Sequence, residues 1–345
     1  MQLRPATAAM LLKKRKTHAR PAGVAKCTTA ELALGLNCRE NYCRVMRPLR
    51  ALVIYMVVVF IGGALLAPWL YWLAQEFARS FPKIAAEPFN RFVDRSLLLL
   101  ALAGLWPLLR ALGITSWREA GVVAPSGQWK KLTGGLLIGF LSLAMVAGMA
   151  MLGGGRGFVQ TITAHGAVAV IIKAVGAAVA VAVMEEILFR GGLFGGLRKF
   201  FYWPLALIVS SMLYALAHFL RRADFAGAVH WHSGLVLLPR MLGGFVDFSA
   251  LLPDFFNLTL AGILLGLAYQ RTGNLYFSIG LHAGWVFWLK TYGAFTTAAP
   301  RASTWFWGTS KMIDGWLALA VLVGVLILFQ FLPPGSKREP FAISP

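Results

Sequence analysis

Apolar stretches of roughly bilayer-spanning length recur along this chain from about residue 52 to residue 332. A hydrocarbon core about 30 Å thick takes ~20 helical residues to cross, and lipid offers no partner to an unpaired backbone N–H or C=O. Such runs fold as transmembrane helices. Their apolar residues are continuous rather than alternating, which disfavours a membrane β-barrel. The expected fold class is therefore all-α: a polytopic membrane protein, a bundle of about eight transmembrane helices. The spans are expected near 52–73, 97–114 (short, and interrupted by Pro107 and Arg110), 132–152, 165–189, 203–220, 251–269, 275–290 and 313–332. Only 13% of residues are charged, about half the share of a soluble domain. Gly135 with Gly139, and Gly262 with Gly266, are spaced for close helix packing.

The domain reading follows from the same pattern. Residues 1–50 form a basic cytoplasmic tail, disordered or loosely helical, residues 51–335 the transmembrane domain, and residues 336–345 a short C-terminal tail. The net charge is +20, from 33 Lys and Arg against 13 Asp and Glu. In a soluble protein that balance would point to nucleic acid. In a membrane protein basic residues mark cytoplasmic segments and attract anionic lipids, so no nucleic-acid partner is expected. The basic run at Lys13–Lys16, with Arg39, Arg44, Arg47 and Arg50, puts the N-terminus inside, and eight spans return the C-terminus to the same side. Arg221 and Arg222 run against this topology, since they would fall outside. Cys27, Cys38 and Cys43 match no zinc spacing, and their odd number argues against a disulfide framework.

Ionisable groups deep in a bilayer cost several kcal/mol (about 3 on insertion scales), so they pair and usually serve function. In "VAVMEEILFRGGLFGGLRK", Glu185 and Glu186 close an apolar run and Arg190 follows a turn later. On a helix Glu186 and Arg190 share a face, while Glu185 points about 100° away. One acid can be held by the arginine while the other faces a cavity. His218 ends another apolar run, with Tyr214 one turn before it, and His282 lies within a third. Asn257 is a buried amide that could meet a ligand or join two helices. Two carboxylates, one arginine and two histidines are enough for a water-activating site. Alternatively His218, His282 and Glu186 could hold a divalent metal such as zinc, leaving the other glutamate as base.

These residues resemble the CAAX protease and bacteriocin-processing family, the Abi family of intramembrane endopeptidases. That family's E-E-x-x-x-R, F-x-x-x-H and H-x-x-x-N motifs appear here as Glu185-Glu186-x-x-x-Arg190, Tyr214-x-x-x-His218 and His282, within a core at 181–290. The resemblance implies an eight-helix bundle with a cavity open to cytoplasm and lipid. It implies an endopeptidase acting on a membrane-embedded or lipid-associated peptide. Glu185 would be the general base and His218 would position water. Glu186 and Arg190 would support them, and His282 would serve the oxyanion. No obligate cofactor is implied. Two positions depart from the pattern: Tyr214 stands where phenylalanine is usual, and Val286 where asparagine is. Asn257 and Asn274 are the candidate replacements for the lost oxyanion donor. A non-catalytic scaffold or immunity-type factor, and a transporter with a proton relay, are the rival readings.

Overall fold

A computed structural model describes residues 38–220, 223–245 and 248–331. Residues 1–44 and 45–345 form separate units, and of the first only the start of a helix at Cys38 is described. The Lys13–Lys16 run, Cys27, Arg221, Arg222 and the C-terminal tail lie outside the described residues.

In chain order the elements are α1 (Cys38–Val57), a π-helical turn (Val58–Gly62), α2 (Gly63–Glu76), α3 (Pro82–Ala85), α4 (Phe89–Ala111), α5 (Trp129–Leu152) and β1 (Arg156–Phe158). They continue with α6 (Ala164–Glu185), a second π-helix (Glu186–Phe194), α7 (Gly195–Leu197), α8 (Trp203–Ala217) and α9 (Ser233–Met241). After a 3-10 turn (Leu242–Phe245) come α10 (Phe248–Thr272), α11 (Tyr276–Phe295), β2 (Thr296–Ala298), α12 (Thr304–Trp307) and α13 (Trp316–Phe331). Within the described residues, each stretch expected to span is helical over most of its length. Among the described residues five helices are long and apolar enough to cross a membrane: Pro48–Glu76, Phe89–Ala111, Trp129–Leu152, Ala164–Leu197 and Leu252–Thr272.

Three features correct the sequence reading. Pro107 does not interrupt α4, which runs through it to Ala111; bundle neighbours tolerate such a proline in a membrane helix. The same helix starts earlier than hydropathy suggests, at Phe89. Its polar first turns are held by Glu87, which pairs with Arg95 at 2.9 Å, and by Asn90, whose amide donates to Ala223 O at 3.2 Å. In contrast α8 stops at Ala217. Its 15 residues reach only about 22 Å, short of the hydrocarbon core, and leave His218 at its C-terminal end.

Glycine decides the closest packing. Gly135 and Gly139 of α5 face Gly280 and Gly284 of α11, and a Cβ at any of the four would overlap facing backbone. The two helices therefore run in backbone contact, pinned by Trp285 Nε1–H donating to Ser142 Oγ at 2.9 Å. Gly139→Leu forces them apart at a cost of about 3 kcal/mol, read as an earlier unfolding midpoint in detergent; an unchanged midpoint contradicts this packing.

Contacts sort the connections into two groups. β1 pairs antiparallel with β2, Asn90 reaches Ala223, and Asn257 of α10 donates to Ile313 O at 2.7 Å. In the other group Leu275 N–H donates to Gly121 O at 3.1 Å and Tyr276 O–H to Val123 O at 2.9 Å. Glu119 belongs to this second group. The Thr115 backbone N–H, 3.0 Å away, holds its carboxyl below the usual carboxylate range.

Candidate active site

Five elements assemble the site. The end of α6 and the π-helix after it carry Glu185, Glu186 and Arg190; α8 carries Tyr214 and ends at His218; α11 carries His282 and Val286; α10 contributes Gly262. The helical turn widens immediately after Glu185, so the acid pair straddles the change from α to π geometry. Such insertions are frequent at functional sites. Gly191 lets this wide segment press on Ala120, whose carbonyl oxygen would lie 2.6 Å from an added Cβ.

Glu186 is fully buried. Its Oε1 lies 3.1 Å from Arg190 Nη1 and 3.0 Å from His282 Nδ1. Arg190 is buried too, donates from Nη2 to Gly262 O at 3.4 Å, and lies 4.4 Å over the Tyr214 ring. The Gly262 carbonyl is within reach because α8 and α10 pack closely there: a Cβ at Gly262 would sit 2.8 Å from Ser211 Cβ. This carbonyl was missed in the sequence, although the Gly262–Gly266 spacing signalled the close approach. Glu186→Ala would leave a buried guanidinium without its carboxylate. It is expected to destabilise the protein by about 3–5 kcal/mol, measured by denaturant titration in detergent.

The histidines take their orientation from these partners. His218 Nδ1 is 2.8 Å from Tyr214 O. A carbonyl can only accept, so Nδ1 carries the hydrogen and, in the neutral ring, Nε2 a lone pair. His282 follows the same logic, with Nδ1 against the Glu186 carboxylate and Nε2 left bare. Both Nε2 atoms face Glu185 Oε2, at 3.7 Å from His218 and 3.8 Å from His282. That oxygen is buried without a hydrogen-bond partner. Three acceptors thus converge at separations too long for direct hydrogen bonds. The gap suits a small bridging group such as water, which could direct one proton toward the carboxylate and one toward an imidazole. The cluster is open on one side: the side chains of His218 and Glu185 are 32% and 17% exposed, against 4% for His282.

The metal set considered from sequence does not fit this arrangement. Glu186 meets the Nδ1 side of His282, whereas Nε2 faces Glu185, so one ion would have to reach two sides of the same ring. Among the described residues no group of three or more His, Cys, Asp or Glu is arranged to hold a metal.

Asn257 and Asn274 are not brought to this cluster. Both amide hydrogens of Asn257 are engaged, with Ile313 O at 2.7 Å and Gly315 O at 3.0 Å, so it ties α10 to the segment before α13. Asn274 caps the turn into α11, donating to Gln128 Oε1 at 3.0 Å while its Oδ1 accepts from Tyr276 N–H. Val286 is buried, one turn beyond His282.

A family model described as Rce1-like, type II CAAX prenyl endopeptidase Rce1-like, matches residues 166–288. That stretch holds Glu185, Glu186, Arg190, Tyr214, His218, His282 and Val286. It agrees with the resemblance carried by the motifs. Comparisons with curated proteins and with solved structures find no match.

Proposed function

With residues 166–288 matching an Rce1-like CAAX endopeptidase domain, we propose that the protein is an intramembrane endopeptidase hydrolysing a peptide bond in a membrane-embedded or lipid-associated peptide. The observation that carries this reading is the convergence of Glu185 Oε2 with two bare imidazole nitrogens. Water held between them gives one proton to the Glu185 carboxylate as its oxygen attacks the scissile carbonyl. The O–H bond breaks as the C–O bond forms, and negative charge passes to the carbonyl oxygen. The transferred proton is shared among Glu185 and the two Nε2 atoms. Once on His282 Nε2, it turns that ring into a donor toward the oxyanion, with Glu186 stabilising the charged imidazole from the other side. Collapse breaks the C–N bond, and the same proton leaves on the amine. Glu186 and Arg190 act by holding His282; they do not touch substrate.

In this reading no metal is required, and the three acceptors use water. The basic surplus orients both termini to the cytoplasm, and the Gly121–Tyr276 end of the bundle faces that side. The basic tail meets anionic lipid. The test is a cleavage assay on purified protein in liposomes with lipidated and unlipidated peptides, products read by mass spectrometry. New termini support the reading. Substrate-driven proton flux without cleavage would make the protein a transporter. Neither activity, with a cellular phenotype that survives Glu185→Gln, would make it a scaffold, the reading that the apolar Val286 favours.

A further inference from the structure

We infer that Tyr214 is a positioning residue that couples the two histidines, so that one aromatic side chain sets the alignment of both Nε2 atoms. The inference rests on the endopeptidase reading for its kinetic arm alone. Tyr214 is buried on α8 and touches both branches of the cluster. On one branch its backbone carbonyl holds His218 Nδ1 at 2.8 Å, and its ring lies 4.5 Å from the imidazole, centroid to centroid. On the other its ring face carries the Arg190 guanidinium at 4.4 Å, and Arg190 holds Glu186, which holds His282 Nδ1. The ring also meets His282 itself edge-on, at 6.2 Å and 79°. Phe189 braces it from the π-helix, edge-on at 5.1 Å.

The physical reason is the shape and charge of an aromatic ring. Its negative face accepts the buried cation, a contact worth more where water is excluded, while its positive edges suit neighbouring rings. An aliphatic side chain of similar bulk fills the volume but has no face for a guanidinium. Arg190 would then be held only by Glu186 and the Gly262 carbonyl, and Glu186 Oε1 would shift relative to His282. His218 would keep the carbonyl of residue 214 but lose the ring against which it packs. The hydroxyl is not part of the coupling, because every contact above uses the ring or the backbone. The ring therefore governs whether two lone pairs and one carboxylate aim at a common point.

Two variants separate coupling from simple packing. Tyr214→Phe keeps the ring, and Tyr214→Leu removes it. In detergent, ¹⁵N spectra of histidine-labelled protein should show both rings as the Nδ1–H tautomer in the wild type and in Tyr214→Phe. Tyr214→Leu should show mixed tautomers at His282 and, at His218, which keeps the carbonyl of residue 214, shifted ring signals from the lost aromatic contact. In the cleavage assay Tyr214→Leu should lower kcat by one to two orders of magnitude with KM within about threefold, and Tyr214→Phe should restore the wild-type rate. A Tyr214→Leu protein with His282 still in the Nδ1–H form and the His218 signals unmoved would overturn the coupling, as would one with wild-type kcat. If the wild type cleaves nothing, the endopeptidase reading fails on its own, and the tautomer spectra still decide whether Tyr214 couples the two rings.

Discussion

Glu185→Gln is expected to lower peptide cleavage by about 10³-fold, with the folded protein retained. General-base assistance contributes roughly 10²–10⁴, and the amide is close to the carboxylate in size. It cannot take a proton from water, and it places an N–H where a proton acceptor is needed. The Glu185 side chain is the partly accessible member of the acid pair, and its Oε2 carries no hydrogen bond, so little structure depends on its charge. That separates it from Glu186, whose removal acts first on stability through Arg190 and His282. The comparison is made at matched amounts of folded protein, with the unfolding midpoint measured alongside. Cleavage by Glu185→Gln within a few-fold of wild type would remove the base from the mechanism.

Val286→Asn is expected to raise turnover, by about tenfold or more. The side chain is buried one turn beyond His282. An amide there can point an N–H toward the oxyanion, and a single donor of that kind is worth about 10²–10³ in rate. The full factor is not expected, because in the proposed mechanism His282 already serves the oxyanion. Valine and asparagine are similar in volume, so overpacking is small. The amide is unpartnered before substrate binds, which costs about 1–3 kcal/mol of stability. The expected signature is therefore faster cleavage by a slightly less stable protein. Loss of stability without any gain in rate would show that position 286 does not face the oxyanion.

The bundle was legible because hydropathy alone forces helices where lipid forbids other backbone. The same scale misplaced the ends of individual helices. It began the α4 stretch at 97, since Asn90, Arg91, Asp94 and Arg95 look like loop until Glu87 and Ala223 are seen to satisfy part of that polar turn. It carried the α8 stretch past Ala217, since Phe219 and Leu220 are apolar although the helix has ended. The π-helix at Glu186–Phe194 leaves no mark in the composition: the same residues satisfy an i→i+4 or an i→i+5 ladder, and only packing against Ala120, Leu105 and Leu109 decides between them. The charged members of the site were legible because each is expensive in lipid. The helix-joining role of Asn257 was among the sequence readings, but the cap that Asn274 forms with Gln128 and Tyr276 N–H was not, because an amide is cheap enough to serve either purpose. The His282 tautomer follows only from its distance to Glu186 on another element, which no spacing within one motif encodes, whereas that of His218 is set inside its own motif by Tyr214 O.

The most direct test of the central claim is whether purified protein in liposomes adds one oxygen from H₂¹⁸O to the new carboxylate of a lipidated peptide, and whether Glu185→Gln and His218→Ala each stop it. The account predicts a single ¹⁸O in the wild-type product and loss of that product in both variants. Labelled product formed at the wild-type rate by either variant would contradict it.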